Sequence, residues 1–284
     1  MSLPIMILYA LFSPETATVA YLGLHIAFAG VATYTLERLL GLNAIGSLIG
    51  AVSYAFAWVA PGSSHLVIFF PTAIWIIVAM IAVELAVRAA SWPARLWSWL
   101  LAATSISQIL AVWLGQGSYY AMLCIGAWIA YRTLLMPDRL VPIRSRLRAF
   151  AITGAAVLGF GFGIAAAVIL PRWNAVSRSN LAGGLYDVTS AWKERQAGFQ
   201  PAELVYELVG GHAGSLWWYV GAVAVALAFM APVVARRWRP LPFFVLMTVL
   251  CLVLALPGPT PLNAAFGPFC RDSKRFMGTL RIGC

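Results

Sequence analysis

The chain has 284 residues, of which 62% are hydrophobic and only 10% are charged. Soluble domains carry about 25% charged residues, so this composition excludes an ordinary soluble protein and indicates a membrane protein. The net charge of +10 is compatible with nucleic-acid binding, but membrane topology accounts for it below, and we expect no nucleic-acid partner.

Apolar stretches of helix length recur along the chain and predict an all-α, polytopic transmembrane helix bundle. We predict about eight spans in a single membrane domain over residues 1–284, at residues 18–40, 44–60, 66–89, 96–114, 119–136, 149–170, 216–235 and 241–256. Ser13, Pro14 and Glu15 have the side chains of a helix start. Residues 1–12 are apolar but too short to span, so we expect them to lie at the interface or to re-enter the membrane.

Two further segments have distinctive composition. The sixth predicted span contains Gly154, Gly159, Gly161 and Gly163, a run that predicts tight helix packing or local flexibility. After it, residues 171–215 form the one long polar segment, of about 45 residues. We expect this segment to be external, with an amphipathic helix at 187–209 on the membrane surface.

The connections between the spans alternate between basic and uncharged. Short loops at 61–65 and 115–118 contain no Lys or Arg. The connections after the first, third, fifth and seventh spans hold Arg38, Arg88, Arg95, Arg132, Arg139, Arg144, Arg146, Arg148, Arg236, Arg237 and Arg239. Cationic loops near a span stay in the cytoplasm, so the arginine-rich connections are predicted to be cytoplasmic. They would also contact anionic lipid headgroups.

The sequence contains no signature of a hydrolase or a metal enzyme. There is no Ser-His-Asp order, no HExxH and no Cys/His cluster, and the glycine run has no GK[ST] and follows no strand. Cys124 and Cys251 lie in apolar stretches, whereas Cys270 and Cys284 lie in the tail, where a disulfide is an option. We therefore expect neither a metal nor a cofactor.

Glu84 is the notable carboxylate within a predicted span. An acid at this depth is a functional candidate, but Arg88 follows at the i+4 spacing that favours an ion pair. We favour the structural pair and keep the functional reading open. His25 and Gln108 are the other polar residues at depth, and each is expected to make an interhelical hydrogen bond more readily than it contacts a substrate.

The predicted external face carries the candidate substrate-binding residues. They are His65, Gln116, Arg172, Arg178 and Asp187. Arginine is suited to grip a phosphate, a carboxylate can accept a proton from an acceptor hydroxyl, and nearby aromatic rings could stack on sugars. The alternative is a set of solvated charges beside an interfacial aromatic belt. For Arg172 and Arg178, which oppose the charge rule, we predict part of an anionic-ligand site.

Six short segments, taken in order, carry a resemblance to a known family. They are residues 23–42 (GLHIAFAGVATYTLERLLGL), 62–75 (GSSHLVIFFPTAIW), 114–121 (LGQGSYYA), 166–180 (AAVILPRWNAVSRSN), 219–221 (YVG) and 269–276 (FCRDSKRF). In this order they resemble the YfhO-like bacterial membrane proteins of the C-type glycosyltransferase fold group. The individual segments are weakly specific, and their order carries the resemblance.

The resemblance implies an enzyme of the bacterial inner membrane that transfers sugar from a polyprenyl-phosphate carrier to a surface glycan or polymer. Members of the family are longer and carry an acidic first outer loop, whereas this chain opens just before what corresponds to their third helix. We therefore expect a fragment that lacks the N-terminal catalytic loop and the C-terminal part of the family, and we assign no catalytic residue. The alternatives are a transporter or flippase for a lipid-linked glycan and a non-catalytic assembly subunit.

Overall fold

A computed structural model describes residues 3–57, 69–112, 116–137, 141–177 and 222–255, and within them it contains helices and no strand. The α-helices are α1 (Leu3–Leu11), α2 (Pro14–Leu39), α3 (Ala44–Ala57), α4 (Phe69–Arg88), α5 (Trp92–Val112), α6 (Gln116–Ala130), α7 (Ile143–Ser177), α8 (Ala222–Val234) and α9 (Leu241–Ala255). A π-helical segment, Tyr131–Leu135, continues α6. The all-α prediction is therefore confirmed for the described residues.

Three of these helices are long and apolar enough to cross a membrane. They cover Pro14–Leu39, Pro71–Arg88 and Ile143–Arg172. The apolar stretches Ala44–Phe56, Val225–Val234 and Leu241–Leu252 are shorter than the roughly 20 residues that span a bilayer. The count of eight spans therefore remains a prediction.

The start of α2 follows from its sequence. Ser13 Oγ accepts a hydrogen bond from Thr16 N at 3.4 Å, Pro14 is the first helical residue, and Glu15 lies in the first turn. These are the cap, the preset φ angle and the acidic first turn that favour a helix start. Residues 3–11, expected at the interface, form α1, and Tyr9 Oη lies 2.6 Å from Thr18 Oγ1 of α2.

Helix α7 extends beyond both ends of the predicted sixth span, at residues 149–170. Helix α7 begins at Ile143, inside the expected cytoplasmic loop, and ends at Ser177, beyond the expected boundary at residue 170. Pro171 lies just beyond the predicted boundary, but proline removes only one backbone donor, and the helix continues after it. Residues 171–177 of the predicted external segment are therefore helical, and residues 178–215 lie outside the described residues.

Helix α4 forms the centre of the bundle. Two thirds of its apolar window (67%) is buried, compared with 33% for α2 and 22% for α7. It packs against α2, α5 and α6, and its residues Ala79, Ala82 and Val83 are completely buried. The outward faces of α2 and α7 are apolar, with large aliphatic and aromatic side chains exposed, as suits helices surrounded by lipid.

The glycine run of α7 contributes one close helix contact. A Cβ atom at Gly161 would lie 2.8 Å from Ile106 Cγ2 of α5, so only glycine allows this approach without a shift. At Gly154, Gly159 and Gly163 an added Cβ would meet none of the described residues within 4 Å. The predicted tight packing is confirmed at Gly161, whereas at the other three positions the alternative of local flexibility remains a prediction.

Candidate functional site

The basic connections of the sequence meet at one end of the bundle. Arg88 Nη2, at the end of α4, donates to Leu39 O at the end of α2 (2.5 Å). Trp238 Nε1, between α8 and α9, donates to Leu40 O (2.8 Å). Tyr131 Oη, after α6, donates to Arg239 O (2.5 Å). We call this end of the bundle the basic end. Its arginines are Arg38, Arg88, Arg95, Arg132, Arg144, Arg146, Arg148, Arg236, Arg237 and Arg239.

A buried carboxylate lies at the centre of the basic end. Glu84 is completely buried in α4. Arg132 grips it in bidentate fashion, with Nε donating to Oε2 and Nη2 donating to Oε1 at 2.8 Å. Arg88 Nε donates to Oε1 at 2.6 Å, although half of the Arg88 side chain is exposed. Both carboxylate oxygens thus accept charge-assisted hydrogen bonds, which are the strong ones.

The π-helical segment positions the Arg132 side chain. Met136 N donates to Tyr131 O at 3.0 Å, the i→i−5 bond of a π-turn. Arg132 lies in this widened turn, and its Nη1 donates to the sulfur of Met136. The guanidinium carbon lies 5.9 Å from the ring centroid of buried Trp128, a cation–π contact. Trp128 Nε1 in turn donates to Met80 O of α4 at 3.2 Å.

This ion cluster joins helices and leaves little capacity for chemistry. The two oxygens of Glu84 are occupied by guanidinium groups from α4 and from the end of α6, and Arg88 also reaches α2. A general base needs a lone pair that can reach its proton, and Glu84 already accepts three hydrogen bonds from two guanidinium groups, which makes it a poor base. The predicted Glu84–Arg88 pair is confirmed, while Arg132, the better-buried partner, was not predicted.

At the opposite end of the bundle, α5 finishes, α6 begins and α7 finishes. Ser118 Oγ in the first turn of α6 donates to Ile109 O of α5 at 3.5 Å. Arg172 Nη1 of α7 donates to Ala111 O at 3.0 Å. Gln116 is the first residue of α6 and so belongs to the same end. Of the predicted ligand residues, Gln116 and Arg172 therefore share one end, whereas His65, Arg178 and Asp187 lie outside the described residues.

Arg172 makes a structural contact that the sequence did not predict, a hydrogen bond to the end of α5. The carbonyl of Ala111 lies in the last turn of α5, where backbone oxygens have no partner within the helix. A guanidinium there satisfies the carbonyl and complements the negative end of the helix dipole. An arginine has five N–H donors, so this one bond leaves Arg172 capacity for an anion.

His25 and Gln108 were predicted to form hydrogen bonds between helices, and no such bond is described for either. His25 is buried, but its Nδ1 pairs with Tyr21 O of the same helix at 2.8 Å, and its ring lies 4.0 Å from the Tyr21 ring. The interhelical prediction is therefore wrong for His25. Gln108 Oε1 is buried and has no hydrogen-bond partner among the described residues. Within those residues no three His, Cys, Asp or Glu side chains group as metal ligands would.

Comparison with protein-family models, with curated proteins and with solved structures gives no match. The resemblance to YfhO-like proteins thus depends on the ordered short segments alone.

Proposed function

We propose that the chain is a multi-pass protein of the bacterial inner membrane with its basic end in the cytoplasm. One observation carries the proposal, namely the hydrogen bonds that join the connections after α2, α4, α6 and α8 at a single end. A soluble helical bundle has no reason to collect its arginines there, whereas a membrane protein does so because cationic connections are retained on the cytoplasmic side. Three helices of spanning length and an apolar outer surface support it.

The sequence alternation then places the opposite end outside. We propose that this end binds a polyprenyl-phosphate-linked sugar and serves transfer of the sugar to a surface glycan or polymer. Arg172 and Gln116 support the proposal because the fold holds them at the same end. The ordered segments that resemble YfhO-like proteins support the chemistry. His65, Arg178 and Asp187 belong to this proposal through the sequence alone.

A transporter or flippase for a lipid-linked glycan is the second candidate. One observation favours it: Glu37 of α2 packs its carboxylate against Gly50 of α3, between two helices of the bundle. Transporters place polar and ionisable groups between their helices, where soluble substrates and ions pass. A transferase acting only at the outer end has no use for a carboxylate in this position.

Accessibility labelling tests the orientation. In a background without cysteine, Ser145 and Ser190 are replaced by cysteine, one at a time, and intact cells are treated with a membrane-impermeant maleimide. Ser145 is exposed at the basic end, so the proposal expects its label to require permeabilised cells, while Ser190 is labelled in intact cells. Labelling of position 145 but not of position 190 in intact cells would reverse the orientation.

Ligand binding tests the proposed activity. A polyprenyl-phosphate analogue is titrated into the purified protein and into the variants Arg172→Gln, Arg178→Gln and Arg195→Gln. Loss of a charge-assisted bond to phosphate costs about 1.5–3 kcal/mol, roughly a 10- to 150-fold weaker affinity, at position 172 or 178. Arg195 is the control. Equal and small losses at all three positions would indicate a diffuse positive field and would contradict a phosphate site.

A further inference from the structure

Helices α6 and α7 leave an apolar groove between them. The groove has a volume of about 230 Å³, and its lining includes Ile125, Gly126, Ile129, Phe150, Gly154 and Leu158. A Cβ atom at Gly126 or Gly154 would meet none of the described residues within 4 Å. These two glycines therefore keep space open between the helices and do not serve close packing.

The dimensions of the groove fit a single hydrocarbon chain. It extends along α6 from Tyr119 to Ile129, which is about 15 Å at roughly 1.5 Å per residue. This length is about half of the roughly 30 Å hydrocarbon thickness of a bilayer, the depth that one lipid chain reaches. A helix of the same length and about 10 Å in diameter occupies roughly 1,200 Å³, several times the volume of the groove. A helix of another protein is thus too wide to enter, whereas an extended acyl chain is not.

On α7 the face that lines the groove continues toward the basic end. Ile143 and Leu147 precede Phe150 and Gly154 at the spacing of one helix face, and their side chains are 60% and 51% exposed. The apolar helix from Ile143 has 30 residues, or about 45 Å, compared with the roughly 30 Å of the hydrocarbon layer. The helix is therefore long enough for its first turns to reach the lipid headgroups.

Two arginines lie at this end of the groove. Arg146 is fixed there, since its Nε donates to Val141 O at 3.0 Å and its Nη1 donates to Leu134 O, after α6, at 3.2 Å. Arg144 is exposed, and because successive helical residues turn by about 100°, the two arginines lie on either side of the groove face. Neither α7 nor α6 with its π-helical continuation contains Asp or Glu, and Asp138 lies outside the described residues. One end of the apolar groove is thus positively charged.

We propose that this groove binds one anionic phospholipid, with an acyl chain along Gly126 and Gly154 and the phosphate beside Arg144 and Arg146. Guanidinium groups bind phosphate oxygens through charge-assisted hydrogen bonds. A phospholipid without an amine carries a net negative charge that complements the arginines, whereas a zwitterionic headgroup also brings a cation that they repel. The site rests on the proposed membrane location but is independent of sugar transfer at the opposite end. It also requires the groove, unlike the general attraction of basic loops to an anionic surface.

Thermal unfolding of the purified protein in detergent, followed by tryptophan fluorescence, tests the site. Dioleoylphosphatidylglycerol is titrated, and the comparison ligands are dioleoylphosphatidylcholine, which has the same chains, and glycerol phosphate, which has none. Because a ligand that binds only the folded state raises stability by mass action, we expect a saturable rise with the anionic lipid alone. Arg144→Gln should weaken the apparent lipid affinity about 10-fold. Arg237→Gln removes an equally exposed charge from the basic end and should leave the affinity close to that of the parent.

Filling the groove tests the position of the acyl chain. Gly126→Leu and Gly154→Leu each place a side chain in the groove, from opposite helices, so the rise with the anionic lipid should disappear in both. Gly163→Leu is the matched control on α7, because a Cβ there also meets none of the described residues but lies on another face of the helix. This variant should respond to the lipid like the parent.

Four results would each overturn the proposal. They are a parent that responds equally to both lipids or to neither, a response to glycerol phosphate as large as that to the anionic lipid, a response that survives in a folded groove variant, and equal losses in Arg144→Gln and Arg237→Gln. The labelling at positions 145 and 190 reports the membrane orientation separately, so failure of the lipid site is distinguishable from failure of the proposed topology.

Discussion

Replacing Glu84 by glutamine should be far more damaging than its sequence context indicates. An isolated Glu–Arg pair at i,i+4 contributes only about 0.2–0.5 kcal/mol. In the structure Glu84 is completely buried and holds Arg132, whose side chain is only 9% exposed. Removing the carboxylate leaves that guanidinium buried without a counter-charge, and breaking such a pair costs about 3–5 kcal/mol.

Arg88→Gln is the matched control because Arg88 pairs with the same carboxylate. Its side chain is half exposed, and exposed ion pairs contribute at most about 1 kcal/mol. Unfolding of the purified proteins in detergent, followed by the fluorescence of Trp128 and the other tryptophans, measures both variants on one scale. We expect Glu84→Gln to lose several times more stability than Arg88→Gln.

A double-mutant cycle isolates the contribution of the pair. Glu84→Met and Arg132→Met each leave one charge buried, whereas the double variant leaves none and fills the same space with apolar atoms. Such replacements of buried pairs are often close to neutral, so the double variant should be more stable than either single one. The proposed role of the Glu84–Arg132 pair in joining α4 to the end of α6 would be contradicted by either of two results. The first is that the stability losses of Glu84→Met and Arg132→Met simply add in the double variant, and the second is that Glu84→Gln costs no more than Arg88→Gln.

Three further outcomes follow from single contacts, each measured as the unfolding temperature in detergent. Gly161→Leu should destabilise the bundle by about 1–3 kcal/mol because α5 leaves no room, while Gly163→Leu, facing open space, stays near the parent; equal effects would contradict the contact. Trp238→Phe should lose about 0.5–1.5 kcal/mol with the hydrogen bond to Leu40 O, and an unchanged temperature would show that this bond contributes nothing. Arg172→Gln should lose about 1 kcal/mol with the hydrogen bond to Ala111 O of α5, whereas Arg172→Lys should retain part of this stability.

Sequence pattern alone located the helices because hydrophobic periodicity and length are local properties. Ser13 and Pro14 fix the start of α2 through their own side chains, and the structure agrees with the expected position. The helix continues to Ser177, past the predicted end of the sixth span, because Pro171 removes only one backbone donor and does not stop the helix. Arg132 was missed as the partner of Glu84 because 48 residues separate them, and local spacing holds no information about such a pairing.

The predicted ligand residues also separate into what the sequence alone indicates and what depends on helix packing. The charge alternation assigned Gln116 and Arg172 to one end, and the structure holds both there. It could not foresee that Arg172 also serves the carbonyl of Ala111, since that bond depends on how α5 and α7 pack. The need for glycine at position 161 likewise follows only from its close contact with Ile106 of α5, which the sequence does not reveal.

Glu84 and Glu37, the two carboxylates near the basic end, show how helical spacing decides whether an acid pairs with an arginine. Glu84 has its arginine four residues on, on the same helix face, and it is neutralised within the fold. Glu37 has its arginine at the next position, and adjacent residues on a helix do not face each other. Arg38 therefore turns to Leu42 O, and Glu37 is left on Gly50 between α2 and α3. Helical spacing therefore decides which of the two acids finds a cation, since in the described part of the chain both ion pairs involve Glu84 and neither involves Glu37.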